Sequence, residues 1–216
     1  MIKVKCEQGT DKWRGIKAGV ASPSNFDRLI TASMKPSSQA DDYLYELMGE
    51  WVVGMCKELP PNLYWVNRGT DIEPQARAQY EFATGSEVDE VGFIYKDKKK
   101  LIGGSPDGLT TAKGLEIKCP SPIIHVSYLL QGVCPKKYQP QVQGSMWITG
   151  LKQWDFMSYH PDFDSLIVTV ESDPAWQATI SKILPPFAKR IEDMRKDPRV
   201  VAMRDRRIQQ EKTIEN

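Results

Sequence analysis

The chain has 216 residues, of which 40% are hydrophobic and 26% charged, a composition that is ordinary for a globular protein and allows a sizeable core. Its 29 basic and 28 acidic side chains leave a net charge of only +1, so no global positive field indicates a nucleic-acid partner. No apolar run approaches the ~20 residues that span a bilayer, and the N-terminus lacks a signal-peptide pattern, which together predict a cytoplasmic protein without a membrane partner.

Helical patterns dominate the first part of the chain. SPSNFDRLI (22–30) predicts a helix start that is capped by one of its two flanking serines. Apolar residues at helical spacing predict a helix in DDYLYELMGEWVVGM (41–55), which KELPPNL (57–63) breaks. A further helix is predicted in NRGTDIEPQARAQYEFATG (67–85), where Gly85 is a suitable C-terminal cap.

Strand patterns follow and then alternate with helices. Five strands are predicted, in EVDEVGFIYK (87–96), KKKLIGGSPDGLT (98–110), KGLEIKCP (113–120), QWDFMSYHP (153–161) and SLIVTVESD (165–173). The first three form an antiparallel meander, and helices are predicted from about Pro140 to Gly150 and from about Pro174 to Lys196. The order predicts an α/β fold with a central mixed sheet flanked by helices. We expect one domain over residues 1–198 and a charged, solvated tail over 199–216.

Two carboxylates and a lysine lie close together in GGSPDGLTTAKGLEIKCP (103–120). Glu116 and Lys118 are two residues apart on a predicted strand and so share one face, and Asp107 ends the neighbouring strand. Oxygen ligands of this kind suit Mg²⁺, and the Ile117 carbonyl could add a third. Such a site can cleave a phosphodiester, with Lys118 positioning or deprotonating the attacking water or neutralising charge in the transition state.

The same triad also allows a purely structural interpretation. Asp107 and Gly108 form a dipeptide that is common in tight hairpin turns, and Glu116 and Lys118 could occupy the wet face of a sheet. On the triad alone, both interpretations stand.

The surrounding motifs resemble the bacteriophage lambda exonuclease family, the viral recombinase type of the PD-(D/E)xK nuclease superfamily. SPDG and LEIKCP are followed by YQPQVQGSMWITG (138–150), as in that family. EQGTDKWRGIKAGVASPSNFDRLI (7–30) resembles its N-terminal motif, and RGTDIEPQARAQYEFATG (68–85) resembles its second helical motif. The match is colinear from about Glu7 to about Pro185 and implies a nuclease domain with a restriction-endonuclease-like core.

The resemblance implies roles for individual residues. Asp107 and Glu116 would bind Mg²⁺, with the Ile117 carbonyl beside them. Two ions would be bound, and Mn²⁺ could substitute for Mg²⁺. Glu73 would be a helix acid near the metals. Lys118 would be the catalytic lysine. A glutamine, Gln141 or alternatively Gln143, would hold the lysine and the attacking water; only one of the two can point into the site from a helix.

The family's basic residue and serine for the 5′-phosphate correspond to Lys17 and Ser24. Arginine would be expected at the first position, and lysine offers a point charge where arginine grips phosphate bidentately. Arg14 could partly substitute, and Ser24 could also be a plain helix cap. The lysines at 96, 98–100 and 136–137 are candidate contacts to backbone phosphates, or else parts of solvated turns.

The resemblance implies a 5′-to-3′ exonuclease that degrades linear double-stranded DNA, releases 5′-mononucleotides and leaves a 3′ single strand. The family implies a ring-shaped homotrimer and a single-strand annealing protein as partner in homologous recombination of phage-type DNA, in a bacterial host or a bacterium carrying a prophage. Two alternatives are a structure- or sequence-specific endonuclease of the same superfamily and a non-catalytic DNA-binding recombination scaffold. Digestion of a closed circle would identify the first, and DNA binding without metal-dependent loss of substrate the second.

Overall fold

A computed structural model describes residues 1–56 and 64–214; the side chains of 64–70 and 214 lie outside the description. The described part of the chain contains seven α-helices, α1 (Asp11–Lys17), α2 (Ala40–Val53), α3 (Tyr64–Thr84), α4 (Pro122–Gln131), α5 (Gln139–Thr149), α6 (Pro174–Lys196) and α7 (Pro198–Ile214). It also contains seven strands, β1 (Ile2–Val4), β2 (Phe93–Tyr95), β3 (Gly103–Gly104), β4 (Gly108–Leu109), β5 (Lys113–Lys118), β6 (Gln153–Ser158) and β7 (Leu166–Glu171), and 3-10 helices at Pro23–Arg28 and Lys136–Tyr138.

The strands form two sheets with helices around them, which confirms the predicted mixed α/β fold. One sheet has the order β1-β2-β3 and the other the order β4-β5-β6-β7. β5 and β6 run parallel, whereas the other neighbours are antiparallel. The predicted single meander is wrong, because β3 and β4 lie in different sheets and residues 105–107 between them join neither ladder.

The side chains of strand β5 alternate between the two faces of the sheet, as the alternating apolar and polar residues predict. Leu115 and Ile117 pack with Ala76 and Tyr80 of α3. The opposite face of the sheet belongs to the larger core, through side chains such as Phe156 of β6. Glu116, the register partner of Phe156, lies on this opposite face and can therefore be covered by a helix on the side away from α3.

Helix α5 supplies that cover and packs against the 3-10 helix Pro23–Arg28. A Cβ atom added at Gly144 would lie 2.3 Å from the ring of Phe26, so glycine allows the two segments to approach closely. Helix α5 ends at Gly150, which has φ of +82°, as the sequence predicted. This packing brings the N-terminal motif beside the glutamine helix.

In the first part of the chain, the structure differs from several predictions made from the sequence. Within the stretch 22–30, Pro23–Arg28 forms a 3-10 helix; Ser22 makes no side-chain capping hydrogen bond, and its hydroxyl lies 3.0 Å from that of Ser24. The predicted break at 57–63 lies outside the described residues. β1, α1, α4 and α7 were not predicted.

Helix α6 has the predicted bounds, and Asp173 caps it by accepting from the backbone N–H groups of Ala175 and Trp176. The charged segment after it is helical, and the guanidinium of Arg204 lies 4.1 Å from the ring centroid of Trp51 on α2. No helix in the described ranges combines the length and apolar character needed to cross a membrane.

Candidate active site

Asp107 is held against strand β5 at the point where the two sheets meet. Its Oδ2 accepts a hydrogen bond of 2.6 Å from the backbone N–H of Ile117, and the register of β4 on β5 places it opposite Glu116. The turn of this hairpin lies farther along, where the Thr110 N–H donates to the Lys113 carbonyl at 2.8 Å. The Asp-Gly pair is therefore not the hairpin turn that the structural interpretation assumed.

Glu116 is buried, with only 2% of its surface exposed. Its Oε1 accepts a hydrogen bond of 2.5 Å from Nε2 of Gln141 and forms a salt bridge with Lys118. A buried carboxylate is costly unless it is paired and hydrogen-bonded, and here both conditions are met within the triad and its glutamine. The interpretation of Glu116 and Lys118 as the wet face of a sheet is therefore wrong for Glu116.

The structure shows which of the two candidate glutamines reaches Glu116. Gln143 donates to the Glu171 carbonyl at 2.9 Å and accepts from the Asp173 N–H at 3.1 Å, on the side of α5 that faces β7 and α6. Gln141, two residues earlier, points at Glu116. Gln143 thus joins secondary-structure elements, whereas Gln141 reaches Glu116 of β5.

Helix α3 carries Glu73, and Arg77 of the same helix links Glu73 to Asp107. Arg77 donates from Nη2 to Oε1 of Glu73 at 3.0 Å and from Nε to the Asp107 carbonyl at 3.3 Å. The side chain of Glu73 is 31% exposed. Arg77 was not predicted from the sequence, although its position four residues after Glu73 places both on one helix face.

The acids of the site share an environment that disfavours negative charge. Burial raises the pKa of Glu116 to about 7; Lys118 opposes this rise and Asp107 adds to it. Burial and then the charge of Asp107 raise the pKa of Glu73 to about 7. Burial also raises the pKa of Asp107. Burial works against the charged form of Lys118, but the carboxylates of Glu116 and Asp107 outweigh it and hold the Lys118 pKa above its usual range.

This donor set fits a divalent cation. Carboxyl groups with raised pKa values at one strand end are stabilised by a nearby positive ion, and Mg²⁺ takes oxygen ligands while keeping several waters. The described residues contain no cluster of three or more His, Cys, Asp or Glu side chains placed to hold a metal. The predicted set is smaller, with the carboxylates of Asp107 and Glu116 and the carbonyl of Ile117. It stays a prediction that agrees with the chemistry of the donors.

A cavity of about 180 Å³ adjoins Gln141, and Ser24, one of the three residues predicted to contact the 5′-phosphate, lines it. It is lined by Pro23, Ser24, Asp27, Lys137, Tyr138 and Gln141. Lys17 and Arg14 are not among these lining residues. Lys17 lies 4.7 Å above the ring of Trp13, and Arg14 forms a 2.8 Å ion pair with Asp11. The structure therefore brings Ser24 to the site and leaves the two basic residues on α1.

The candidate basic clusters differ in their surroundings. Lys96 donates to the Trp147 carbonyl and lies 4.1 Å above its ring, and Lys99 is 3.8 Å from Glu192. Of the hairpin lysines, Lys96 and Lys99 thus contact the protein itself, and the ammonium of Lys100 lies 5.4 Å from the ring centroid of Tyr95. Lys137 borders the cavity, and its ammonium lies 4.9 Å from the ring centroid of Tyr138.

Tyr138 is the second residue beside the predicted site that was not predicted from the sequence. Its ring centroid lies 5.5 Å from Nζ of Lys118, and it lines the cavity together with Gln141. The available signal was its position three residues before Gln141 at a predicted helix start, since residues three apart lie on the same helix face.

Comparison with known proteins gives two strong similarities. The YqaJ-like viral recombinase domain matches residues 12–152 of this chain. The alkaline exonuclease LHK-Exo from Laribacter hongkongensis is 30% identical and superposes with a TM-score of 0.72, over 87% of this chain and 97% of that one. LHK-Exo in complex with dAMP gives the same TM-score, with 29% identity and the same coverage.

Two further relatives extend the comparison. A phage-related exonuclease from Haemophilus somnus 129PT has a TM-score of 0.57 at 15% identity, over 82% of this chain and 96% of that one, and shows the fold alone. The uncharacterised protein R354 of Acanthamoeba polyphaga mimivirus is 33% identical over 116 residues. That match spans 47% of this chain but only 21% of R354.

Proposed function

Because this chain belongs to the YqaJ-like viral recombinase domain family, we propose that it is a Mg²⁺-dependent 5′-to-3′ exonuclease of linear double-stranded DNA. At the coarser level it is a recombination-type nuclease with the fold of an alkaline exonuclease. Its products would be 5′-mononucleotides and a 3′ single strand, which is the substrate of single-strand annealing.

The observation that carries the proposal is the state of Glu116. This carboxylate is 2% exposed, bonds to both a lysine and a glutamine, and faces a second carboxylate. Burial of such charged groups costs more free energy than an apolar core residue at the same position would. Buried acids with raised pKa values, clustered with a charged partner, are typical of functional sites. Together with the family, they favour phosphodiester hydrolysis.

Asp107, Glu116 and the Ile117 carbonyl would hold two Mg²⁺ ions, for which Mn²⁺ could substitute. Ions bound there would polarise a phosphoryl oxygen and activate the attacking water. Glu73, which Arg77 holds beside Asp107, adds negative charge at the edge of this set.

Lys118 and Gln141 would act on the attacking water and the transition state. The ammonium of Lys118 lies beside Glu116 and can orient the water or neutralise charge that develops on the phosphoryl group. The amide N–H of Gln141 orients the Glu116 carboxylate, and its amide oxygen can accept from the water. Both groups are preorganised by α5 and β5.

The recognised substrate would be the phosphorylated end of a DNA duplex, contacted by Ser24, Lys17 and Arg14. Ser24 shares a cavity with Gln141, which supports its part in this contact most directly. The remaining parts of the proposal follow from the resemblance. They are a homotrimeric ring around DNA, a single-strand annealing protein as partner, and action in the bacterial cytoplasm.

The test uses a linear duplex with a labelled, phosphorylated 5′ end. We expect release of mononucleotides in Mg²⁺, none in EDTA, and a loss of about 10² to 10⁴-fold in Glu116→Gln and Lys118→Ala. Lys113→Ala is a matched control, because this lysine lies on the same strand but pairs with Asp155 in the other layer. Activity that survives in Glu116→Gln and Lys118→Ala would show that the site lies elsewhere.

The same preparation separates the alternatives. Cleavage of closed circular DNA without mononucleotide release would replace the exonuclease by an endonuclease. Tight DNA binding with no hydrolysis in Mg²⁺ or Mn²⁺ would indicate a recombination scaffold. Light scattering on the purified protein would test the trimer directly.

A further inference from the structure

Helix α5 touches the charged face of β5 at two points one helical turn apart. Gln141 contacts Glu116, and Tyr138, at the N-cap position of α5, places its ring 5.5 Å from Nζ of Lys118. One helix start therefore reaches both the acid and the lysine of the strand. The first contact belongs to the proposed mechanism, and the second is so far unassigned.

The ring of Tyr138 is fixed by its neighbours. It packs on Phe156, with ring centroids 5.2 Å apart and planes tilted by 30°. Phe156 is the register partner of Glu116 across the parallel β5-β6 pair, and such partners lie on the same face of a sheet. Tyr128 borders the ring at 84°, and its hydroxyl lies 3.5 Å from that of Tyr138. The ring is thus held above the face that carries Glu116 and Lys118.

Lys118 needs such a partner because its side chain is long. A lysine ammonium sits on a flexible four-carbon stem, and the side chain of Lys118 is 28% exposed. Its ammonium forms a salt bridge with Glu116. The π face of an aromatic ring attracts a cation over distances of up to about 6 Å. Tyr138 supplies that face on the side of α5.

We propose that Tyr138 is a positioning residue for hydrolysis, whose ring holds the ammonium of Lys118 in its place beside Glu116. The inference rests on the proposed function, since it gives the ring a purpose in the reaction of Lys118. The face of the ring performs this task and the hydroxyl does not. Phenylalanine should therefore replace tyrosine, whereas an aliphatic side chain of similar bulk should not.

Kinetics of Tyr138→Phe and Tyr138→Leu test the role in the reaction. A cation–ring contact of this kind changes the population of the positioned lysine by about fivefold to thirtyfold. We expect Tyr138→Leu to lower kcat by that factor, with KM for the duplex changed less than about twofold, and Tyr138→Phe to keep both. Tyr128→Phe is the matched control, because it removes a hydroxyl next to Tyr138 and leaves both rings in place. An unchanged kcat in Tyr138→Leu, or an equal loss in Tyr138→Phe, would overturn the proposal.

A second measurement does not depend on activity. In protein labelled with ¹³Cε-lysine, the Lys118 resonance, identified by its loss in Lys118→Ala, should show an upfield ring-current shift. The shift should persist in Tyr138→Phe and disappear in Tyr138→Leu. An unshifted Lys118 resonance in the wild-type protein overturns the contact, even if Tyr138→Leu does not fold. A wild-type protein without nuclease activity, but with the shift, would refute the proposed function and leave the contact standing.

Discussion

The side-chain amide of Gln141 donates to Oε1 of Glu116 at 2.5 Å, and this bond joins the start of helix α5 to the buried end of strand β5. The two residues are 25 positions apart in the chain. The contact explains how Glu116 can be buried at a strand end without losing all its hydrogen bonds. It also makes α5 both the cover of the site and a contributor to it.

The two glutamines of α5 should respond differently to substitution. Gln141→Ala leaves Glu116 with one partner fewer, and misplacing a catalytic group by about 1 Å can cost roughly a hundredfold in rate. Gln143→Ala removes a buried side chain that bonds to the Glu171 carbonyl and to the Asp173 N–H, which should cost about 1–3 kcal/mol of stability. Nuclease rates and urea unfolding of the two variants check this. A Gln143→Ala protein that is stable but inactive would reverse the assignment.

Arg77 should tune metal affinity without contacting the metal. It ties Glu73 to the Asp107 carbonyl, and groups that orient metal ligands typically change affinity by about 10- to 100-fold. We expect Arg77→Met to raise the Mg²⁺ concentration for half-maximal activity by about tenfold. The rate measured over a range of Mg²⁺ concentrations gives this value. Lys113→Met is the control, because Lys113 pairs with Asp155 on the face of β5 away from Glu116. An unchanged Mg²⁺ requirement would mean that Arg77 only stabilises the fold.

Without metal, the protein should lose stability as pH rises. A carboxyl whose pKa is raised in the folded state contributes stability that is present below the ordinary value of 4.5 and lost as pH rises through about 7. Melting temperatures in EDTA should therefore fall between about pH 5 and about pH 8, and Mg²⁺ should restore more stability at the higher pH. Glu116→Gln should flatten this profile. A variant profile parallel to that of the wild type would exclude Glu116 as the source.

Discrimination between 5′-phosphorylated and 5′-hydroxyl ends should depend more on Ser24 than on Lys17. Ser24 lines the cavity next to Gln141, whereas Lys17 lies over Trp13 on α1. Loss of one hydrogen bond to a charged group corresponds to a preference smaller by about tenfold or more. Rates on the two ends with Ser24→Ala and Lys17→Ala measure the effect. A larger loss in Lys17→Ala would restore the role that its sequence position implies.

Local patterns in the sequence determined most elements and the identity of the charged triad. Alternation along β5 predicted that Leu115 and Ile117 enter a core, and Pro174 and Lys196 were correctly placed as the bounds of α6. These predictions succeed because backbone geometry sets periods of 2 and 3.6 residues in any context.

Only the tertiary structure decided which faces are covered and which side chains meet. It buried Glu116 beneath α5, pointed Gln141 rather than Gln143 at Glu116, and placed the ring of Tyr138 over Lys118. The same long-range packing divided the predicted meander between two sheets. A local period assigns a side chain to a face, but the partner across that face comes from residues far away in the chain. Its identity therefore depends on how helices and sheets pack, and no local pattern records that.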